Sequence, residues 1–366
     1  MQIKLTRETL LPALQAVANV VERRQTLPIL SNVLLTAENG RLHLLGTDME
    51  VEVAVHCEAT VVKEGATTVP ARKLLDICRS LPGDANIQFE TAAAKAKIQS
   101  GRSRFLLATL PPAEFPSVGN LEAASEFAMP AEELRELIGN TQFAMAHQDV
   151  RYYLNGLLLE LSPAAVRSVA TDGHRLALCD RELTTGVTAP KQIIVPRKGV
   201  SELVRMLGHL EGEVKLAVGQ NHLKVTTRDQ SITTKLIDGK FPDYERVIPK
   251  EGEKMVTADR ESLKAAFSRT SILSNEKFRG VRISLSKGLL KAAAHNPEQE
   301  EAEEDVEVDY EGDDLEIGFN VSYLLDVLGV LKSQSIRLEL TDANSSCVLY
   351  APEDQRARYV IMPMRL

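Results

Sequence analysis

The 366-residue sequence contains no tryptophan, and aromatic residues make up only 4% of it. Its cores are therefore expected to be aliphatic, built from Leu, Ile, Val and Ala. Cysteine is scarce. Cys57, Cys78, Cys179 and Cys347 stand far apart, which offers neither the paired spacing of a zinc site nor a disulfide framework. Scattered cysteines suit a reducing compartment, and a cytoplasmic location is expected. Long apolar runs are missing too. The run from Leu10 to Val21 follows Lys4 and Arg7, as the core of a signal peptide would, but Glu8, Gln15 and Asn19 interrupt the pattern. It reads as an amphipathic helix. No stretch approaches the roughly 20 apolar residues that span a bilayer, so no membrane association is expected. There is no glycine-rich phosphate loop, no GxSxG, no HExxH and no acidic pair at metal-ligand spacing. Neither a metal nor a cofactor is expected.

What is present is a globular composition, 44% hydrophobic and 26% charged, in a chain long enough for two or three domains. The net charge of −8 argues at first against a nucleic-acid partner. However, residues 298–314 hold eleven acids and no Lys or Arg, and taking those eleven charges away leaves the remainder at +3. The acidity is local, and the rest of the chain can carry basic faces. Read alone, the acidic run 298–304 is a disordered, solvated loop.

The chain repeats itself. A polar pair closes an alternating segment at Thr47-Asp48, at Thr171-Asp172 and at His295-Asn296, each 124 residues after the last. A helix opens after Val69, Val195 and Phe319. Its apolar stripe falls at Leu74, Ile77, Cys78 and Leu81, then Val200, Leu203, Val204 and Leu207, then Leu324, Val327, Leu328 and Leu331. Asp76, Glu202 and Asp326 share one polar slot in it. An earlier helix places Leu10 and Leu14 against Leu134 and Ile138, then Leu263 and Phe267; Pro12 is expected to delay or kink the first copy. The segments FPSV at Phe115 and FPDY at Phe241 also correspond. Period-two segments between these anchors predict antiparallel strands. The fold class is thus α+β, three similar domains in tandem (1–122, 123–250 and 251–366), each with two helices on antiparallel sheets. Modules joined edge to edge bury strand edges that otherwise invite aggregation, and closure into a ring removes the last two.

The strings TLPILSN (26–32), VRYYLNG (150–156), TDGHRLA (171–177), VPRKGV (195–200), FPDYERV (241–247), SILSNEKFRGVR (271–282), NPEQEEAEE (296–304) and MPMRL (362–366) run in order along the whole chain. Together they resemble the bacterial sliding clamps, the beta subunits of the replicative DNA polymerase III. The resemblance implies the DNA clamp fold and a head-to-tail homodimer closed into a ring around double-stranded DNA. It also implies a clamp loader, DNA polymerase III and other polymerases and repair proteins as partners, engaged through a short peptide motif, and no enzymatic activity.

The residues agree with such a role. Basic clusters fall on the repeated helix (Arg72, Lys73 and Arg79; Arg197, Lys198 and Arg205) and in 268–282 (Arg269, Lys277, Arg279 and Arg282), where they can meet phosphate without reading sequence. Read alone, they are ordinary solvated faces. The resemblance assigns DNA contact to Arg24, Gln148, Tyr152 and Tyr153; the tyrosines suit stacking on an unpaired base. It builds a partner-peptide pocket from Leu154, the turn of Thr171, Gly173, His174, Arg175 and Leu176, then Pro242, Arg246, Val247, Asn320, Tyr323, Ser346 and the tail Val360, Ile361, Met362, Pro363, Met364 and Arg365. Arg and His at its rim are expected to hold a peptide carboxylate or amide. Ile361 and Cys347 are mild departures beside this pocket. At the dimer junction, Glu298, Glu300, Glu301, Glu303 and Glu304 would face Lys73, Arg102 and Arg104, while Ile272 and Leu273 pack on Phe105 and Leu107. The rival reading makes Asp172 and His174 of the TDGHR turn metal ligands of a nucleic-acid-processing enzyme.

Overall fold

The computed structural model describes residues 1–21, 27–118, 122–208, 210–249 and 252–365. Among them are six α-helices: α1 (Arg7–Ala18), α2 (Ala71–Ser80), α3 (Ala131–Gly139), α4 (Arg197–Leu207), α5 (Arg260–Thr270) and α6 (Val321–Val330). They come two to each repeat, as the apolar stripes predict. Leu74 and Cys78 of α2, Val200, Leu203 and Leu207 of α4, and Leu324, Val327 and Leu328 of α6 are all buried. Side-chain caps open α1, α5 and α6, where Thr6, Asp259 and Asn320 accept from the backbone N–H of Thr9, Ser262 and Ser322. Pro12 does not delay α1, which runs from Arg7 through it. The proline lies on the exposed face, so the carbonyl of Glu8 that loses its bond faces water. Among the described residues no helix is long and apolar enough to cross a membrane.

Among the described residues the strands form four antiparallel sheets. By packing, the chain divides into two compact units: 1–134 with 198–236, and 135–197 with 237–366. The middle repeat is shared between them. In the first unit an eight-stranded sheet joins its strands Ser125–Pro130, Glu213–Val218, His222–Thr226 and Gln230–Lys235 to Val51–Glu58, Arg41–Thr47, Asn32–Glu38 and Gly65–Pro70. In the second unit Lys191–Pro196, Gly156–Ser162, Ala165–Thr171 and Arg175–Glu182 continue into Asp354–Ile361, Cys347–Ala351, Ser335–Leu340 and Lys254–Asp259. Repeats are thus joined edge to edge, as edge protection demands. The boundary expected at 250 falls outside the described residues, and that at 122 adjoins 119–121, which are also outside them.

Each unit keeps a smaller sheet. Ser103–Ala108 is one of its edge strands in the first unit, and Glu301–Glu307 one in the second. The acidic run is therefore a strand with a hairpin, not a loop.

Candidate functional site

The strands Arg41–Thr47 and Ala165–Thr171 both end on the threonine of the repeated pair. The next aspartate folds the chain back. Asp172 Oδ1 accepts from the N–H of His174 (2.9 Å) and of Arg175 (3.1 Å), while Thr171 Oγ1 donates to the Arg175 carbonyl (2.6 Å) and accepts from Gly173 N–H (3.1 Å). Gly173 has φ +90°, and a Cβ there would lie 2.9 Å from the Arg151 guanidinium. The backbone angle requires glycine; the guanidinium, at the end of a flexible side chain, could move aside. Asp172 Oδ2 accepts from Arg175 Nε (3.1 Å). Both carboxylate oxygens therefore hold the turn, and the chemistry offered to the metal-enzyme reading is already used.

Arg175 corrects a second expectation. It is largely buried. Beyond Asp172 it donates to Asp326 Oδ2 (2.5 Å) and to the Phe143 carbonyl (2.7 Å), and it lies over the rings of Phe143 and Tyr323. A guanidinium so committed does not wait for a peptide carboxylate; it ties α6 to the turn. His174 is exposed at the rim. Burial pushes the Tyr323 phenol up. Neither Phe143 nor Asp326 was singled out as a site residue, although Asp326 occupies the polar slot of the repeated helix.

Leu154, Leu176 and Val360 come together in one buried apolar cluster with Phe241 and Tyr244, against which Tyr153 and Ile248 are partly buried. Register pairs Leu176 with Val360 and Arg175 with Ile361, and Ile361 in turn with Cys347. Ile361 and Cys347 are both buried, so they shape the floor from below. Arg246 and Val247 are exposed on the turn Tyr244–Val247, with Val247 at 40%, and Pro242 is exposed just before it. The tail is pinned where Met362 N–H donates to the His174 carbonyl (3.0 Å) and Met364 N–H to the Gly318 carbonyl (2.8 Å). Met362, Pro363, Met364, Asn320 and Ser346 are half-buried and Arg365 exposed. The result is an apolar floor with adaptable methionine edges, suited to an extended peptide.

The loop at 147–153 presents Gln148 at φ 56° beside Val150, which is 95% exposed, and Tyr152, exposed edge-on to Tyr153. Arg151 pairs with Asp149, and its hydrogen bonds hold the Asp149 carboxyl down at about 2. Arg24 lies outside the described residues. Arg72, Lys73 and Arg79 are exposed. Arg197 and Lys198 are not the free cations the sequence suggests. Arg197 donates to the carbonyls of Met145 (2.6 Å) and Ala146 (2.9 Å), and burial lowers its pKa; Lys198 pairs with the nearly buried Asp48.

At the open edges, Arg102 and Arg104 are exposed, Phe105 is half-buried and Leu107 only 9% exposed. Ile272 is 74% exposed, with Leu273 half-buried beside it. The acids do not share one face. Glu301 and Glu303 point away from the helices, and Glu303 pairs with Lys291; Glu304 points toward α5 and binds Arg269 through two bonds of 2.6 and 2.9 Å. Strand alternation separates neighbours in this way. Glu298 and Glu300 sit exposed in the hairpin.

Tandem α+β repeats joined sheet edge to sheet edge, with two helices each, a basic edge strand at one described repeat and an acidic one at another, define the clamp class of proteins. Three domain families match in order: the N-terminal domain of the DNA polymerase III beta subunit over residues 1–119, the central domain over 128–243 and the C-terminal domain over 245–365. The chain is 54% identical over 367 residues to the beta sliding clamp of Pseudomonas aeruginosa and to that of Pseudomonas putida, covering 100% of each. A crystal structure of a DnaN sliding clamp from Pseudomonas aeruginosa bound to griselimycin superposes with a TM-score of 0.97 at 54% identity, over 100% of both chains. The chain belongs to the DNA polymerase III beta subunit family, the beta sliding clamps.

Proposed function

We propose that this chain is a processivity factor that makes no bonds of its own: two copies close head to tail around duplex DNA and tether the replicative polymerase to it. Membership of the beta sliding clamp family over the full length carries the function. The assembly is supported by the open edges. Ser103–Ala108, flanked by Arg102, lies in the N-terminal repeat, and the acidic Glu301–Glu307 in the C-terminal one. Added edge to edge between two chains, they continue the sheets as the repeats do within one chain. Ile272 and Leu273 then cover Phe105 and the flank of Leu107, while Lys73, Arg102 and Arg104 meet Glu298, Glu300, Glu301 and Glu303. Glu304 contributes through its partner Arg269.

DNA contact falls to Arg24, Arg72, Gln148, Tyr152 and Tyr153, with Arg197 and Lys198 adding field more than direct bonds. Polymerase, clamp loader and repair proteins take turns in the pocket around Leu176 and Val360. The protein works in the cytoplasm, and the repeat boundaries lie near 122 and 250. Retention on closed circular DNA, lost when the circle is cut, tests the reading. Equal retention on both forms would mean ordinary binding without encirclement. A metal-dependent nuclease assay on the pure protein tests the enzyme alternative.

A further inference from the structure

The turn Tyr244–Val247 carries two walls of the pocket, Arg246 and Val247, on its exposed side. Its hold on the sheet is Tyr244, which is 5% exposed. The ring sits in the cluster with Leu154, Leu176 and Val360. Its hydroxyl donates to Glu160 Oε2 (2.5 Å) and accepts from Arg167 Nη1 (3.0 Å). Arg167 stands on the sheet in register with Asp180, whose carboxylate it grips at 2.5 and 3.3 Å, and it also reaches Glu245 Oε1 at 3.3 Å. One guanidinium thus spans two strands and the turn, using a planar fork that no other side chain has. Burial, then Glu160, pushes the Tyr244 phenol well up, so it stays a neutral donor.

The geometry points to Arg167 as a positioning residue for the partner pocket, acting through Tyr244 to hold the Val247 wall in place. This rests on the pocket reading above. The chain supplies its own control. In the first repeat the counterparts of Arg167 and Asp180 are His43 and His56, paired in the same register. The counterpart of Glu160 is Thr36, and that of Tyr244 is Val118, which has no hydroxyl. Val118 N–H instead donates to Glu52 Oε2 (3.1 Å), on the strand position where the second repeat has Leu176. The latch is present in the copy that has the apolar floor and absent from the copy that has a glutamate there.

The test uses the full chain and a probe peptide bearing one glutamine and two leucines spaced by alanine, titrated by calorimetry. Tyr244→Phe keeps the ring and removes the hydroxyl; Arg167→Ala removes the fork, and Arg167→Lys restores the charge with less reach. Tyr244→Phe and Arg167→Ala should each weaken the probe about tenfold, equivalent to about 1.4 kcal/mol. The double variant should be no worse than either, because both act through one latch. Arg167→Lys should recover part of the loss. Amide exchange at Arg246 and Val247 should quicken in both variants; the melting temperature should stay put in Tyr244→Phe and fall only in Arg167→Ala, which leaves Asp180 unpaired. Affinity unchanged in both single variants, or a loss in Tyr244→Phe that merely follows a lower melting temperature, would overturn the latch. If the parent chain itself does not bind the probe, or binds it equally after Val247→Glu, the pocket reading falls and the latch with it.

Discussion

The two threonine–aspartate turns have the same backbone and different neighbours. In the first unit Thr47 Oγ1 donates to the Val51 carbonyl (2.9 Å), and Asp48 Oδ1 accepts from Glu50 (2.9 Å) and Val51 (2.7 Å). In the second unit Thr171 and Asp172 make the same bonds. Past the turn the copies part. The first pairs Glu52 with Thr233 and Val51 with Thr234; the second pairs Leu176 with Val360 and Arg175 with Ile361. Asp48 is held by Lys198, whereas Asp172 is held by an arginine that also reaches Asp326. A repeated scaffold therefore fixes where a groove can form, and the side chains after the turn decide whether it is apolar. Of these two turns, the second has a floor that gains by burying a leucine, at roughly 1.5–3 kcal/mol for a full side chain.

The largest expected effect comes from rewriting the second turn as the first. Leu176→Glu places a carboxylate in the apolar cluster; it should abolish peptide binding and lower stability by several kcal/mol. Val247→Glu, on an exposed wall, should remove most of the binding with stability intact, which calorimetry and thermal melting together will read. Breaking the assembly should leave the comparison standing. Ile272→Ala with Leu273→Ala removes the two side chains proposed to anchor the junction, each worth roughly 2–5 kcal/mol if buried there. Light scattering should then find monomers, and those monomers should bind peptide as before. A variant that stays dimeric would take these residues out of the junction. Arg175→Ala should cost about 1–3 kcal/mol of stability by leaving Asp326 and Asp172 unpaired, and should weaken peptide binding about tenfold as α6 loosens. Smallest of all, Glu52→Leu in the first unit should leave peptide affinity within error.

Much of this was legible in residue spacing. The polar pairs marked true strand ends at Thr47, Thr171 and His295, and the apolar stripes marked α2, α4 and α6. Backbone geometry repeats because its causes are local. The commitments of charged side chains were not legible, because their partners come from far along the chain. Arg175 meets Phe143 and Asp326, and Arg167 meets Tyr244. Arg197 looks like a free cation until Met145 and Ala146 turn out to offer it their carbonyls. Glu303 and Glu304 were separable in principle by strand alternation, but so acidic a run conceals its period behind composition. Edge-to-edge joining was expected from the repeats, but which strands pair was not legible: Thr234 meets Val51 and Leu176 meets Val360, and the middle repeat is shared as a result.

The stoichiometry of the glutamine–leucine peptide on the intact chain tests the central claim most directly. If the apolar floor beside Leu176 makes the site, a calorimetric titration will saturate at one peptide per chain, and Val247→Glu will leave binding too weak to saturate. Saturation at two per chain, with one survivor in Val247→Glu, would mean that the turn beside Glu52 binds as well, and that the side chains after the turn do not decide.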